Sequence, residues 1–108
     1  MPQIRMKGMK IDDVKIISKI LPEELAKILG CPKDHFTIEY IPITYFMEGV
    51  VVESYPFIEV AWFDRGQKVQ DKVAKFITET IVGQGYDLVE VAFISLDRTS
   101  YYENGVHF

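Results

Sequence analysis

One cysteine, Cys31, and two histidines, His35 and His107, are all that these 108 residues offer to thiol or imidazole chemistry. A lone thiol excludes an internal disulfide framework and any multi-cysteine zinc site. Two histidines so far apart in sequence make a poor metal pair, so no metal and no cofactor is expected. No apolar run approaches the roughly 20 residues of a membrane-spanning helix. The start, Met1-Pro2-Gln3-Ile4-Arg5, has no apolar stretch resembling a signal peptide. Positive charge is short too: 12 Lys and Arg against 16 Asp and Glu leave a net charge of −4. That balance argues against a nucleic-acid partner, whose affinity comes largely from Lys and Arg meeting phosphate. Together these absences lead us to expect a soluble cytoplasmic protein that binds neither nucleic acid nor membrane.

What is present suits one compact domain over residues 1–108. Apolar residues reach 48%, enough for a real core, and charged residues 26%. Aromatics are 13% of the chain, bunched in Tyr40–Phe46, Tyr55–Phe63 and the last sixteen residues.

The first half reads strand, helix, strand. Gln3 to Lys7 alternates, with Ile4 and Met6 on one face. Asp12 and Asp13 suit the cap and first turn of a helix. Val14, Ile17, Leu21, Leu25 and Ile28 follow at helical spacing until Gly30. Pro22 interrupts this pattern and predicts a kink or a break into two segments near Ile20. His35 to Tyr40 alternates as a half-buried strand. The second half repeats the order. Pro56–Phe63 is apolar on nearly both faces, as a central strand should be. Val69, Val73, Phe76, Ile77, Thr80 and Ile81 then form a helical stripe, and Leu88–Leu96 is a second apolar strand. Glu48-Gly49 begins a turn before a short extra strand, Val50–Val52.

The halves superpose. Pro2, Ile4 and Met6 match Pro56, Ile58 and Val60 at an offset of 54, and Asp34, Phe36, Ile38 and Tyr40 match Asp87, Val89, Val91 and Phe93 at 53. Residues 2–46 and 56–97 are therefore pseudo-repeats, each a βαβ unit, with 98–108 as a tail. The predicted fold is α+β, a two-layer α/β arrangement: a four-stranded mixed sheet with both helices on one face. Such a sheet leaves its other face and two edges uncovered. Phe57 or Ile58, Ala61 or Trp62, Val91 and Phe93 are expected to point there. Self-association into a closed ring would bury them.

A duplicated βαβ chain beginning Met-Pro resembles the tautomerase superfamily, which includes 4-oxalocrotonate tautomerase and macrophage migration inhibitory factor. Within it the sequence is similar to domain-of-unknown-function family 1904. The likeness spans Pro2-Gln3-Ile4-Arg5, Thr44-Tyr45-Phe46, Tyr55–Arg65, Gln70-Asp71, Ile77-Thr78, Phe93–Thr99 and the distinctive tail Tyr101–Phe108. The resemblance implies a homotrimer with a small pocket beside the N-terminal proline, walled partly by a neighbouring chain.

It also implies a cofactor-independent keto-enol tautomerase or isomerase of small keto or enol carboxylates. Removing Met1 would free the secondary amine of Pro2. Desolvation lowers such an amine's pKa, so it can serve as general base at neutral pH. The alternative is that Pro2 merely starts an edge strand. Arg65 follows the internal repeat of the first strand and matches a substrate-clamping arginine; guanidinium forks suit carboxylates. The alternative is an ordinary surface pair with Asp64 or Glu59. Arg5 and Arg98 are weaker versions of the same idea. Tyr45, Trp62 and Tyr101 are candidates for an aromatic pocket wall, or else for interface packing. Other clamps do not carry over: the family's arginine on the second strand falls near Thr37, and its lysine after the first helix at Cys31. Substrate specificity therefore does not transfer, and a non-catalytic trimeric module binding a small ligand or protein is the competing function.

Overall fold

The computed structural model describes residues 2–108. Alternation in the first strand, β1 (Gln3–Lys7), buries Ile4 and Met6 completely. Helix α1 (Ile11–Leu29) follows, with Asp12 and Asp13 in its first turn, Lys10 as its N-cap and Gly30 in left-handed conformation at its end. Of the kink or break expected near Ile20, the break does not occur: the helix runs continuously through Pro22. An interior proline costs about 3 kcal/mol, yet Ile17, Leu21 and Leu25 on both sides of it are fully buried and hold the helix to the core. A single 3₁₀ turn, Lys33–His35, leads to β2 (Thr37–Ile41).

Two short strands, β3 (Tyr45–Met47) and β4 (Val50–Val52), form a separate hairpin. Its turn places Glu48 and Gly49 at φ 49° and 79°, the left-handed pair that a two-residue hairpin turn requires. The second βαβ unit is β5 (Phe57–Trp62), α2 (Gln67–Val82) and β6 (Glu90–Ser95). A 3₁₀ turn at Arg98–Ser100 precedes a last hairpin, β7 (Tyr102–Glu103) and β8 (Val106–His107). Among the described residues no helix is long and apolar enough to cross a membrane.

The main sheet has the order β2-β1-β5-β6, with β1 parallel to β2, antiparallel to β5, and β5 parallel to β6. This is the α+β architecture the sequence predicts. One face carries Ile4, Met6, Ile58, Val60 and Trp62 against the buried stripes of both helices, Val14, Ile17, Leu21, Leu25 and Leu29 with Val73, Ile77 and Ile81. Val91 and Phe93 also pack on this core, which corrects the expectation that they point to the uncovered face. The reason is register: Val91 pairs with Ile58 and Phe93 with Val60, so they share the helix side. Ala92 and Ile94, paired with Glu59 and Ala61, take the other side, which Phe57 shares. That face is partly charged, with Lys7 bonded to Glu59 at 2.7 Å and Arg5 to Glu39 at 3.6 Å.

Two contacts tie the layers. The hydroxyl of Tyr86 accepts from the backbone N–H of Lys10 at 3.0 Å and donates to the Asp13 carboxylate, clamping the start of α1 to the loop before β6. Gly8, at φ +81°, passes so close to Tyr55 that an added Cβ would lie 1.9 Å from its carbonyl oxygen.

Gly8→Ala should therefore lose at least about 2–3 kcal/mol in denaturant unfolding, since strain and a backbone clash add. Burial, then the hydrogen bond to Asp13, raise the Tyr86 phenol above its ordinary 10.0. The fold thus holds the phenol protonated more tightly than the unfolded chain does. The clamp's contribution is complete below pH 10 and fades as pH rises through the raised value. Tyr86→Phe should cost about 1 kcal/mol near neutrality. Thermal melts from pH 8 to 11 should show that gap closing at the alkaline end.

Candidate functional site

Sheet direction decides which candidates meet. β1 and β2 begin at the end of the sheet where β5 and β6 finish. Pro2, the Lys33–His35 turn, Phe63 to Arg65 and Arg98 with the tail therefore converge there. Pro2 is fully buried, and its carbonyl accepts from the Thr37 N–H at 3.2 Å. It leads into an inner strand, not an edge strand, so the edge-strand explanation for this proline fails. Met1, on whose removal a free amine depends, lies outside the described residues.

Beside this end is a cavity of about 300 Å³ lined by His35, Phe63, Arg65, Arg98, Glu103 and Phe108. Arg65 is steered by the end of α1: its Nη1 donates to the Leu29 carbonyl at 2.8 Å. Neither acid suggested as its surface partner is engaged with it. Glu59 pairs with Lys7, and Asp64 accepts from the Gly66 N–H at 2.8 Å. Arg98 sits over the ring of Phe63, with its guanidinium carbon 4.4 Å from the centroid. The turn that aims it is fixed by Asp97, which accepts from the N–H and the hydroxyl of Thr99 at 2.9 and 2.8 Å. Those two bonds hold the Asp97 carboxyl below the ordinary carboxylate range.

Aromatic packing seats the tail. Phe63, Tyr101 and Phe108 contact one another with ring centroids 5.1–5.5 Å apart, and the Phe108 N–H donates to the Tyr101 carbonyl at 3.0 Å. Tyr101 thus backs the cavity. The Pro2 ring is at the same end but is not part of the wall.

The other two candidates lie elsewhere. Trp62 is wholly buried in the helix-side core against Phe93, centroids 4.9 Å apart, and its Nε1 has no hydrogen-bond partner among the described residues. Tyr45 stands with Tyr55, ring centroids 5.0 Å apart, beyond the opposite end of β5 from Arg65, so the whole strand, about 20 Å, lies between them. Sequence reasoning gave His35 and Glu103 no place in a site, treated Phe108 only as part of the tail, and ranked Arg98 with Arg5 behind Arg65. The signal was Asn104-Gly105, a hairpin turn flanked by Tyr102 and Val106, which folds Phe108 back onto Tyr101. Among the described residues no cluster of metal-ligating side chains exists.

No functionally curated protein matches the sequence. A family described as a domain of unknown function, DUF1904, matches residues 1–107. A solved DUF1904 structure from Sebaldella termitidis ATCC 33386 is 40% identical over 100% of both chains, with a TM-score of 0.94. At the level of fold alone, a fused wild-type 4-OT asymmetric trimer superposes with a TM-score of 0.82 at 16% identity, covering 97% of this chain and 94% of its own. A macrophage migration inhibitory factor-like protein from Entamoeba histolytica gives 0.74 at 12% identity, covering 99% and 98%. Forty per cent identity without a gap in coverage reaches well past shared architecture: this chain belongs to the DUF1904 family, built on the fold of the tautomerases.

Proposed function

We propose that this protein is a cofactor-independent tautomerase or isomerase of small keto or enol carboxylates. In this reading Pro2, freed of Met1, is the general base, and Arg65 holds the substrate carboxylate. The observation that carries it is Arg65: a guanidinium in the cavity wall at the Pro2 end, oriented by the Leu29 carbonyl and engaged with neither Asp64 nor Glu59. One fixed donor leaves the rest of the fork to a ligand. A neutral amine there is the form that accepts a proton from carbon. Tyr101 supports the apolar wall behind the ligand. Trp62 fits this scheme as a core residue that shapes the same end of the sheet.

The working unit we propose is a homotrimer. The β3–β4 hairpin leaves Phe46 and Met47 about two-thirds exposed, with Val50 and Val51 close behind, a surface that a monomer does not favour. Tyr45, at the root of that hairpin, would reach a pocket only in a neighbouring copy.

Intact-mass analysis should first secure a preparation lacking Met1. That protein should turn over phenylpyruvate or 2-hydroxymuconate, and Pro2→Ala should lower kcat/KM by about 100-fold or more. Arg65→Gln should act mainly on KM. Equal rates for the parent and Pro2→Ala would sink the proposal. Light scattering should give three chain masses for the parent, and Val51→Lys should lower that number; a monomeric parent would remove the trimer.

A further inference from the structure

A second hollow, of about 280 Å³, lies at the far end of the sheet from Pro2, Arg65 and Arg98. Its wall includes half-buried Tyr55 and Tyr86, exposed Glu53 and Asp87, and apolar Pro56 and Leu88. The wall holds no base. No lysine or arginine occurs between Lys33 and Arg65 or between Lys75 and Arg98, the stretches that build it. Lys10 meets Tyr86 through its backbone N–H, and its side chain is outside the wall. In the ion pairs of the described residues Glu53 and Asp87 take no part, nor does Glu90 nearby. Both phenols turn their protons away to carboxylates outside the wall. Tyr86 donates to Asp13, and Tyr55 is bonded to Glu90, whose hydrogen bond and then charge raise that phenol above its ordinary 10.0. The Tyr55 oxygen is thereby left to accept. Carboxylates without partners beside aromatic rings attract a cation twice, by charge and by the ring faces.

We propose that this hollow binds a small organic cation, a primary ammonium on a short aliphatic chain. Glu53 and Asp87 supply the charge, Tyr55 and Tyr86 the aromatic walls, and Pro56 and Leu88 the apolar surface for the chain. Acceptors around the hollow suit an N–H donor better than a quaternary centre, which has no proton to offer. No three metal-ligating side chains converge among the described residues. The acids are therefore spread round the hollow, not gathered on one point as a divalent ion needs. The competing role for Glu53 and Asp87 is that of solvated surface charges with no ligand. This site is independent of any chemistry at Pro2.

Titration of the full chain with butylamine, followed by backbone amide NMR shifts, separates the two roles. Butan-1-ol, tetramethylammonium and magnesium ion serve as neutral, quaternary and metal comparisons. Butylamine should bind with a Kd of about 1 mM or tighter, and shifts should centre on residues 53–56 and 85–88. Butan-1-ol and tetramethylammonium should bind about tenfold more weakly. Glu53→Gln with Asp87→Asn should lower butylamine affinity about tenfold or more. Glu48→Gln, an acid on the neighbouring hairpin but outside the wall, should leave it unchanged. Tyr55→Phe keeps the ring and should lose only a few-fold, whereas Tyr55→Leu should lose more. Pro2→Ala should bind butylamine as the parent does, so a protein without turnover still answers the question. Absent or equal binding of butylamine and butan-1-ol overturns the proposal. So does full affinity in the double variant, or magnesium competing for the same residues at lower concentration.

Discussion

When β1 runs antiparallel to β5, Gln3 comes opposite Ala61 and Lys7 opposite Phe57, and the remaining placements follow from that register. It joins the two βαβ units into one sheet with their helices on the same side. It also brings the start of the first unit to the end of the second, so that Pro2 and Arg65, far apart in sequence, share a corner. A slip of one residue would exchange the faces of β1, turning Arg5 and Lys7 into the helices and Ile4 and Met6 out of them. The complete burial of Ile4, Met6, Ile58 and Val60 makes that slip prohibitively costly.

The core and the cavity are parts of one construction. Helix α1 is held down by its buried stripe, and its last carbonyls come to lie beside the end of β5. Leu29 then offers an acceptor to Arg65, and the helix end, being electronegative, suits a cation. On the other flank, the Asp97 turn and the packing of Phe63 with Tyr101 and Phe108 fix Arg98 without any regular element beneath it.

The repeat was legible because burial enforces periodicity. The stripes of α1 and α2, the stop at Gly30 and the inner position of β5 all follow from where apolar residues recur. Phase was not legible where a strand is apolar throughout: Val91-Ala92-Phe93-Ile94 reads equally well in either orientation, and only pairing with β5 decides it. At Pro22 the local signal allowed a break that does not occur, since burial on both sides of it holds the helix together. The cavity was half legible. Arg65 could be found through the repeat, whereas His35 is there because its turn precedes β2 at that end of the sheet, and Phe108 because a hairpin at Asn104-Gly105 returns the chain to Tyr101 and Phe63, a contact with no periodic trace.

The two prolines that open the repeats occupy equivalent places. The Pro2 carbonyl accepts from Thr37 and the Pro56 carbonyl from Glu90, at 3.2 and 3.0 Å, and both rings are buried. Each end of the sheet also has a hollow of similar size, about 300 and 280 Å³. Their chemistry has diverged. Pro56 lies mid-chain, where its nitrogen is an amide and can never be a base, and the counterpart of Arg65 at offset 54 is Ile11. The second hollow is lined instead by Glu53, Asp87, Tyr55 and Tyr86. The two strand–helix–strand units thus end in corners of different chemistry: one opens on Pro2 with Arg65 and Arg98 in the wall of its hollow, and the other presents acidic and phenolic side chains beside Pro56.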